Sequence, residues 1–297
     1  MSGNIQSIKN YRKLRVIGRG AHGLCSLYQK KSDALNKKVV IKSISLECRN
    51  ETEKKAILYE AHLLNQLRHP NIIRLCSSFV ELEQLHIVME FVDGGTMDSM
   101  IRERNGNKMG QDLILYYFTQ IILALNYIHN KNILHRDLKT QNIFLNRKRT
   151  IVKVGDFGIS KELSSKNVAS TGIFNDGDID VRHWHSQLLI PEICEGRAYD
   201  IKSDIWSMGC VLYELVELKK AYDGDSFPSI VLRITRGKHG PISAEVSSQM
   251  KQLILHMLEL DERQRPNTKD LLTHSLIIQK WYEIHVNLGR IEPPMME

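Results

Sequence analysis

This sequence lacks several features whose absence narrows its class. No two cysteines are spaced as Cys-x-x-Cys; Cys25, Cys48, Cys76, Cys194 and Cys210 lie far apart. That argues against a zinc ribbon or a disulfide framework and leads to an expectation of reduced thiols in the cytosol. The opening MSGNIQSIKNYRK has no apolar core, so no secretory signal is visible. The longest apolar run, IWSMGCVLYELVEL, is too short and too interrupted to span a bilayer, so no membrane insertion is expected. Fixed-period repeats and low-complexity blocks are absent as well. Charge imbalance is small: 41 basic residues against 34 acidic ones leave +7. An excess this diffuse suits nucleotides but gives no case for nucleic-acid binding, and it reads as solvated surface lysine.

What is present is a chain of 297 residues, 42% hydrophobic and 25% charged. That is enough for one large domain or two lobes with a sizeable core. After a loose tail over 1–10, RKLRVIG, LCSLYQK and KKVVIKSI read as strands divided by turn residues. ETEKKAILYEAHLLNQL has helical spacing, with Ile57, Ala61, Leu64 and Leu67 on one face. IIRLCSSFV and LHIVMEFV read as two further strands, and FVDGGTM then breaks the pattern as a connector. Beyond it the signals are helical: DLILYYFTQIILALNYIHN, the nearly all-apolar SDIWSMGCVLYELVEL, SSQMKQLILHMLEL and NTKDLLTHSLI. The expected architecture is α+β, a small β-rich lobe joined to a larger helical one, with a ligand cleft at their junction.

Gly18-Arg19-Gly20-Ala21-His22-Gly23 is a GxGxxG. Dinucleotide-binding folds share it, but there the glycines open a helix, whereas here a strand follows. A loop between two strands can lie over phosphates, its backbone N–H groups unshielded by side chains. Taken alone, a plain hairpin turn accounts for it. Lys42 ends the apolar run VVIK, where a charge is costly unless paired. Glu60 on the next helix is its candidate partner; two surface charges are the alternative reading.

ILHRDLKTQNIFL is the most specific stretch. Asp137, Lys139 and Asn142 confine an anion, a cation and an amide to one short loop between apolar runs. That set suits a hydroxyl acceptor, a phosphate and a metal held together. VKVGDFG then adds the carboxylate of Asp156 beside Gly158. Asp and Asn oxygens with phosphate oxygens are the ligands that Mg²⁺ prefers. His135 sits in an apolar setting that favours a packed structural role over acid–base work.

At these residues the chain resembles the protein kinases, from about Tyr11 to Ile277. GRGAHG, VVIK, Glu60, HRDLKTQN, DFG, Pro191-Glu192, DIWSMG and RQRP occur in the family's order. The lysine two places after Asp137 is the serine/threonine-kinase pattern. HPNIIRL, IVMEFVDGG, HRDLKTQNIFL and VKVGDFGISKEL are most similar to the NIMA-related kinases. Among these the likeness is greatest to members whose long forms carry a chromatin-condensation-regulator-like propeller after the kinase domain.

The resemblance implies a kinase domain over 11–277, with lobes meeting at about 91 and 92, and a tail over 278–297. It implies ATP and Mg²⁺. Asp137 would orient the substrate hydroxyl and accept its proton, and Lys139 would neutralise the transferring phosphoryl group. Asn142 and Asp156 would hold Mg²⁺. Ile17, Gly18, Arg19, Gly20, Ala21, His22, Gly23, Leu24 and Cys25 would cover the nucleotide. Lys42, held by Glu60, would grip its phosphates, and Glu90 to Val92 would meet adenine, with Met89 behind. Asp204 would brace the catalytic loop, and Glu192 would pair with Arg265.

One segment departs from the family. Relatives reach their Pro-Glu through Gly-Thr-Pro-x-Tyr-x-(Ser/Ala)-Pro-Glu, but here TGIFNDGDIDVRHWHSQLLIPE occupies the place. A metal site of Asp176, Asp178, Asp180, His183 and His185 fits neither a calcium loop nor a zinc signature. An inserted regulatory loop is a second reading. A departure that does not serve catalysis is the favoured one. Ser164, Ser165, Ser170 and Thr171 precede it as candidate phosphosites for autophosphorylation or an upstream kinase, with Arg136 to receive the phosphate.

The expected function is therefore a serine/threonine kinase acting on protein hydroxyls in cell-cycle, ciliary or cytoskeletal signalling. The alternative is a pseudokinase scaffold with its substrate platform over 172–189 broken. A dinucleotide oxidoreductase would rest on GxGxxG alone. Cytoplasmic placement is expected, with a centrosomal or ciliary site suggested by the resemblance.

Overall fold

A computed structural model describes residues 7–20, 23–32, 37–47, 49–157 and 190–288. The chain divides into two compact units, with Asp93 and Gly94 on either side of the division.

The first unit is built on a five-stranded antiparallel sheet in the order β1-β2-β3-β5-β4. Its strands are β1 (Tyr11–Gly20), β2 (Gly23–Lys30), β3 (Lys38–Ser45), β4 (Leu75–Glu81) and β5 (Gln84–Glu90). β5 lies between β3 and β4, and its residues Leu85 to Val88 are all buried. That explains why Leu85, Ile87 and Val88 do not alternate with exposed polar residues; His86 between them is buried too, with its Nδ1 2.9 Å from the Ser43 hydroxyl. The helix α1 (Glu51–Asn65) starts where the Asn50 side chain accepts the Glu53 N–H at 2.9 Å. It buries Ile57, Ala61 and Leu64, as the spacing predicts; Leu67 is buried just beyond the helix. The expected loose tail is in part ordered. Ile8–Asn10 forms a 3₁₀ turn tied down by Glu81, whose carboxylate accepts from the Ser7 hydroxyl and the Ile8 N–H, both at 2.9 Å.

The second unit is mostly helical. It holds α2 (Met97–Glu103), α3 (Gln111–His129), α4 (Pro191–Cys194), α5 (Ile201–Glu217), α6 (Phe227–Thr235), α7 (Ser248–Met257), α8 (Thr268–Thr273) and α9 (Ser275–Leu288). Starts are written in the sequence: Thr96 with Ser99, Asp200 with Ser203, and Asn267 with Asp270 each close a reciprocal cap. α3 and α5 supply much of the core, including Phe118, Ile121, Ile122, Leu125, Trp206, Leu212 and Leu215. NTKDLLTHSLI is two helices rather than one, because His274 turns extended and ends α8. α9 then runs on to Leu288, so the division expected at 277 falls inside a helix. Among the described residues no helix is long and apolar enough to cross a membrane.

Candidate active site

A short hairpin places the chemistry. β6 (Ile143–Leu145) pairs antiparallel with β7 (Val152–Val154), Ile143 opposite Val154. Its turn is closed by Asn146, whose Oδ1 accepts the N–H groups of Thr150 at 2.8 Å and Ile151 at 2.9 Å. At the other end the residues flanking the strands are forced together. Gly155 N–H donates to the Asn142 carbonyl at 2.9 Å, so Asn142 and Asp156, distant in sequence, belong to one corner. The other end of β6 is fixed where the second unit begins. Gly94 N–H donates to the Leu145 carbonyl at 2.8 Å, and Leu145 N–H to the Gly95 carbonyl at 2.9 Å. A Cβ on Gly94 would overlap the carbonyls of Leu145 and Asn146.

Within that corner Asn142 donates to the Asp137 backbone carbonyl at 2.8 Å and to Asp137 Oδ2 at 2.9 Å. Lys139 Nζ lies 3.2 Å from the same Oδ2. Both amide hydrogens of Asn142 are spent on Asp137, which leaves its Oδ1 as the atom a cation can take. With the Asp156 carboxylate this is an all-oxygen donor pair, the chemistry Mg²⁺ requires. Asp156 and Arg136 both adopt positive φ, +55° and +64°. Non-glycine residues hold that region only when their surroundings over-determine it.

For Arg136 the surroundings do so through Asp204. Its carboxylate, on the first turn of α5, accepts the N–H groups of His135 at 2.9 Å and Arg136 at 3.1 Å. His129 Nε2 meets it at 2.8 Å, and the Tyr199 hydroxyl donates to it. Burial pushes the Asp204 carboxyl up, but the bonds and charge of His129 and the Tyr199 bond hold it below the usual carboxylate range. Burial and the Asp204 charge drive the Tyr199 phenol far upward, so it stays a donor.

His135 is the packed structural histidine expected. Asp137 N–H donates to its Nδ1 at 3.2 Å, so Nε2 carries the hydrogen and donates to the Gly155 carbonyl at 3.1 Å. Its ring lies 4.8 Å from that of Phe157. Burial lowers its pKa below the ordinary value, which keeps the ring neutral, the state both bonds need. Deeper in the unit, Glu192 and Arg265 approach to 2.6 Å, each almost wholly buried. Their contact is an ion pair without hydrogen-bond alignment. The guanidinium spends its hydrogens on the carbonyls of Glu259, Lys202 and Leu260 and lies 4.9 Å from the Trp206 ring.

The first unit carries the residues assigned to the nucleotide. Gly18 lies on β1, and Gly20 opposite Gly23 closes the β1–β2 hairpin. Gly23 has φ of +133°, and a Cβ there would overlap the Ser43 carbonyl on β3. Ile17 is exposed; Leu24 and Cys25 are half-buried on β2, with Cys25 opposite Lys42. Lys42 is buried on β3, Glu60 is half-buried on α1, and Met89 and Glu90 end β5, with Val92 two residues on. Arg19 lies on β1. Ala21, His22, Cys48, Gly158, Ser164, Ser165, Ser170 and Thr171 lie outside the described residues, as do Asp176, Asp178, Asp180, His183 and His185. Sequence reading missed His129, Tyr199, Asp98 and Glu214. For Glu214 there was a signal: a carboxylate within the apolar run of α5 needs a partner.

Residues 11–277 match the family model described as the protein kinase domain. The serine/threonine-protein kinase nekl-2 of Caenorhabditis elegans is 45% identical over 96% of this chain and 79% of its own length. The chain belongs to the NIMA-related protein kinases. Nek8 of Danio rerio is 42% identical over 97% of this chain, which spans 40% of that relative. The crystal structure of Rad53 1–466 in complex with AMP-PNP has a TM-score of 0.73 at 25% identity, covering 91% of this chain and 66% of that one. The fold of this NIMA-related serine/threonine kinase is thus the protein kinase fold, and its relatives lend no support to a scaffold without activity.

Proposed function

We propose that this kinase transfers the γ-phosphoryl group of ATP to serine and threonine hydroxyls of proteins, with Asp137 and Lys139 as its catalytic pair. One observation carries the assignment: Asn142 holds the Asp137 carboxylate while Lys139 stands 3.2 Å from the same oxygen. Asp137 orients the acceptor hydroxyl and takes its proton as the new O–P bond forms. Lys139 stabilises the charge on the phosphoryl oxygens. Asn142 Oδ1 and the Asp156 carboxylate hold Mg²⁺, which when bound neutralises charge on the phosphates. In the first unit, Lys42 with Glu60 grips the α- and β-phosphates, the glycine loop over Ile17 to Cys25 covers them, and backbone groups of Glu90 to Val92 receive adenine. Little covalent work is asked of the protein, because phosphoryl transfer rests on positioning and charge. A neutral His135 spent on two backbone partners is no competitor as base. Ser164, Ser165, Ser170 and Thr171 are the proposed phosphate acceptors of regulation, with Arg136 as the receiving cation.

The test uses the purified chain, labelled ATP, Mg²⁺ and a generic protein substrate, beside Asp137→Asn. Loss of a positioned base predicts a fall of at least about 10²-fold. Equal labelling by both proteins removes the assignment.

A further inference from the structure

Two residues between the catalytic lysine and the metal-binding amide are each bound by a carboxylate. Thr140, fully buried, donates its hydroxyl to Glu214 Oε2 at 3.0 Å. Gln141 Nε2 donates to Asp98 Oδ1 at 2.7 Å. Each carboxylate has a cation of its own: Lys220 Nζ stands 2.5 Å from Glu214 Oε1, and Arg102 Nη2 stands 2.6 Å from Asp98 Oδ2. The first arm comes from α5 and the second from α2.

We infer that Thr140 and Glu214 are positioning residues, a tether that fixes the turn Thr140–Asn142 and through it aims Lys139 and Asn142, with Asp98–Gln141 as a second arm. The inference rests on the kinase reading. Packing alone does not account for the pair, since a valine fills the space of a threonine without a hydroxyl to satisfy. Burying the Glu214 carboxylate is costly, and an apolar pair would be as stable or more so. Burial indeed pushes its carboxyl up, against the Lys220 charge and the Thr140 bond. What a charged acceptor adds is direction: a bond to an ionised group is stronger and more geometrically exacting than a methyl contact. The turn it directs is the one whose ends are Lys139 and Asn142, joined by the Asn142 N–H to Lys139 carbonyl bond of 2.9 Å. Small errors in aim at such a point are expensive for catalysis.

The test compares Thr140→Ala, Thr140→Ser, Glu214→Gln and the Thr140→Ala/Glu214→Gln pair in the full chain, beside wild type and Asp137→Asn. Thr140→Ala is expected to lower kcat by about tenfold, with the KM for ATP moved less than about twofold. Thr140→Ser, which keeps the hydroxyl, restores kcat, and the double variant is no worse than the poorer single one. Amide hydrogen exchange, which needs no turnover, should quicken in Thr140→Ala at Asn142 and Gly155 and be restored by Thr140→Ser. Unchanged exchange and kcat in Thr140→Ala overturn the tether. So does a serine variant as impaired as the alanine one, which marks the methyl group as the part that matters. Wild type no faster than Asp137→Asn would end the kinase reading, and the exchange data would still decide the tether.

Discussion

Asn142 donates to Asp137 twice, once to its backbone carbonyl at 2.8 Å and once to its carboxylate at 2.9 Å. One side chain therefore sets the aim of the proposed base and presents its remaining oxygen to a cation. Asn142→Ala should damage both tasks: kcat falls by about 10²-fold and the Mg²⁺ concentration for half-maximal rate rises. Initial rates over a magnesium series check this. A loss of kcat with no change in magnesium demand would separate Asn142 from the metal.

Gly94 tests how tightly the start of the second unit is joined to β6. Since a Cβ would overlap two carbonyls, Gly94→Ala must displace backbone. We expect a destabilisation of about 2 kcal/mol and a melting point lower by about 5 °C. An unchanged melting point would show that this junction gives way freely.

The Glu192–Arg265 pair predicts an asymmetry. In Glu192→Gln the guanidinium keeps its three carbonyl acceptors and the Trp206 face. In Arg265→Met a buried carboxylate is stranded and those carbonyls lose their donor. Arg265→Met should cost about 3 kcal/mol or more, and Glu192→Gln less. Urea midpoints of the two variants decide the order.

His135 gives a pH signature. Its folded pKa lies below the ordinary 6.5, because burial disfavours the charged ring. The unfolded chain thus binds a proton that the folded one refuses as pH falls below about 6.5. Stability from this group is present above that pH and is lost on acidification towards the folded pKa. His135→Phe should show a shallower fall in urea midpoint between about pH 6.5 and 5 than wild type. Parallel curves would mean that His135 does not titrate there.

Much of this was legible because it is local. Asp137, Lys139 and Asn142 share one loop, and a loop of six residues leaves few ways to arrange its ends. The strands of the first unit and the helices α1, α3, α5 and α7 followed from apolar periodicity and turn residues. That Glu214 needs a partner could be read from its apolar run, but the partners of Glu214 and Asp98 were not legible, since Thr140 and Gln141 are distant in sequence and no motif joins them. His129 and Tyr199 were missed for the same reason: only folding brings both to Asp204. The split at His274 was missed because its sequence carries neither glycine nor proline, the usual punctuation.

The arginine stacked on Trp206 also makes the protein its own reporter. The buried indole lies 4.9 Å from a guanidinium and 5.5 Å from the Tyr222 ring. Among the described residues the tryptophans, Trp206 and Trp281, both lie in the helical unit, so their emission follows its melting. The sheet unit has no indole, so its unfolding does not register in tryptophan emission, and following it by that signal calls for a tryptophan placed there by mutation.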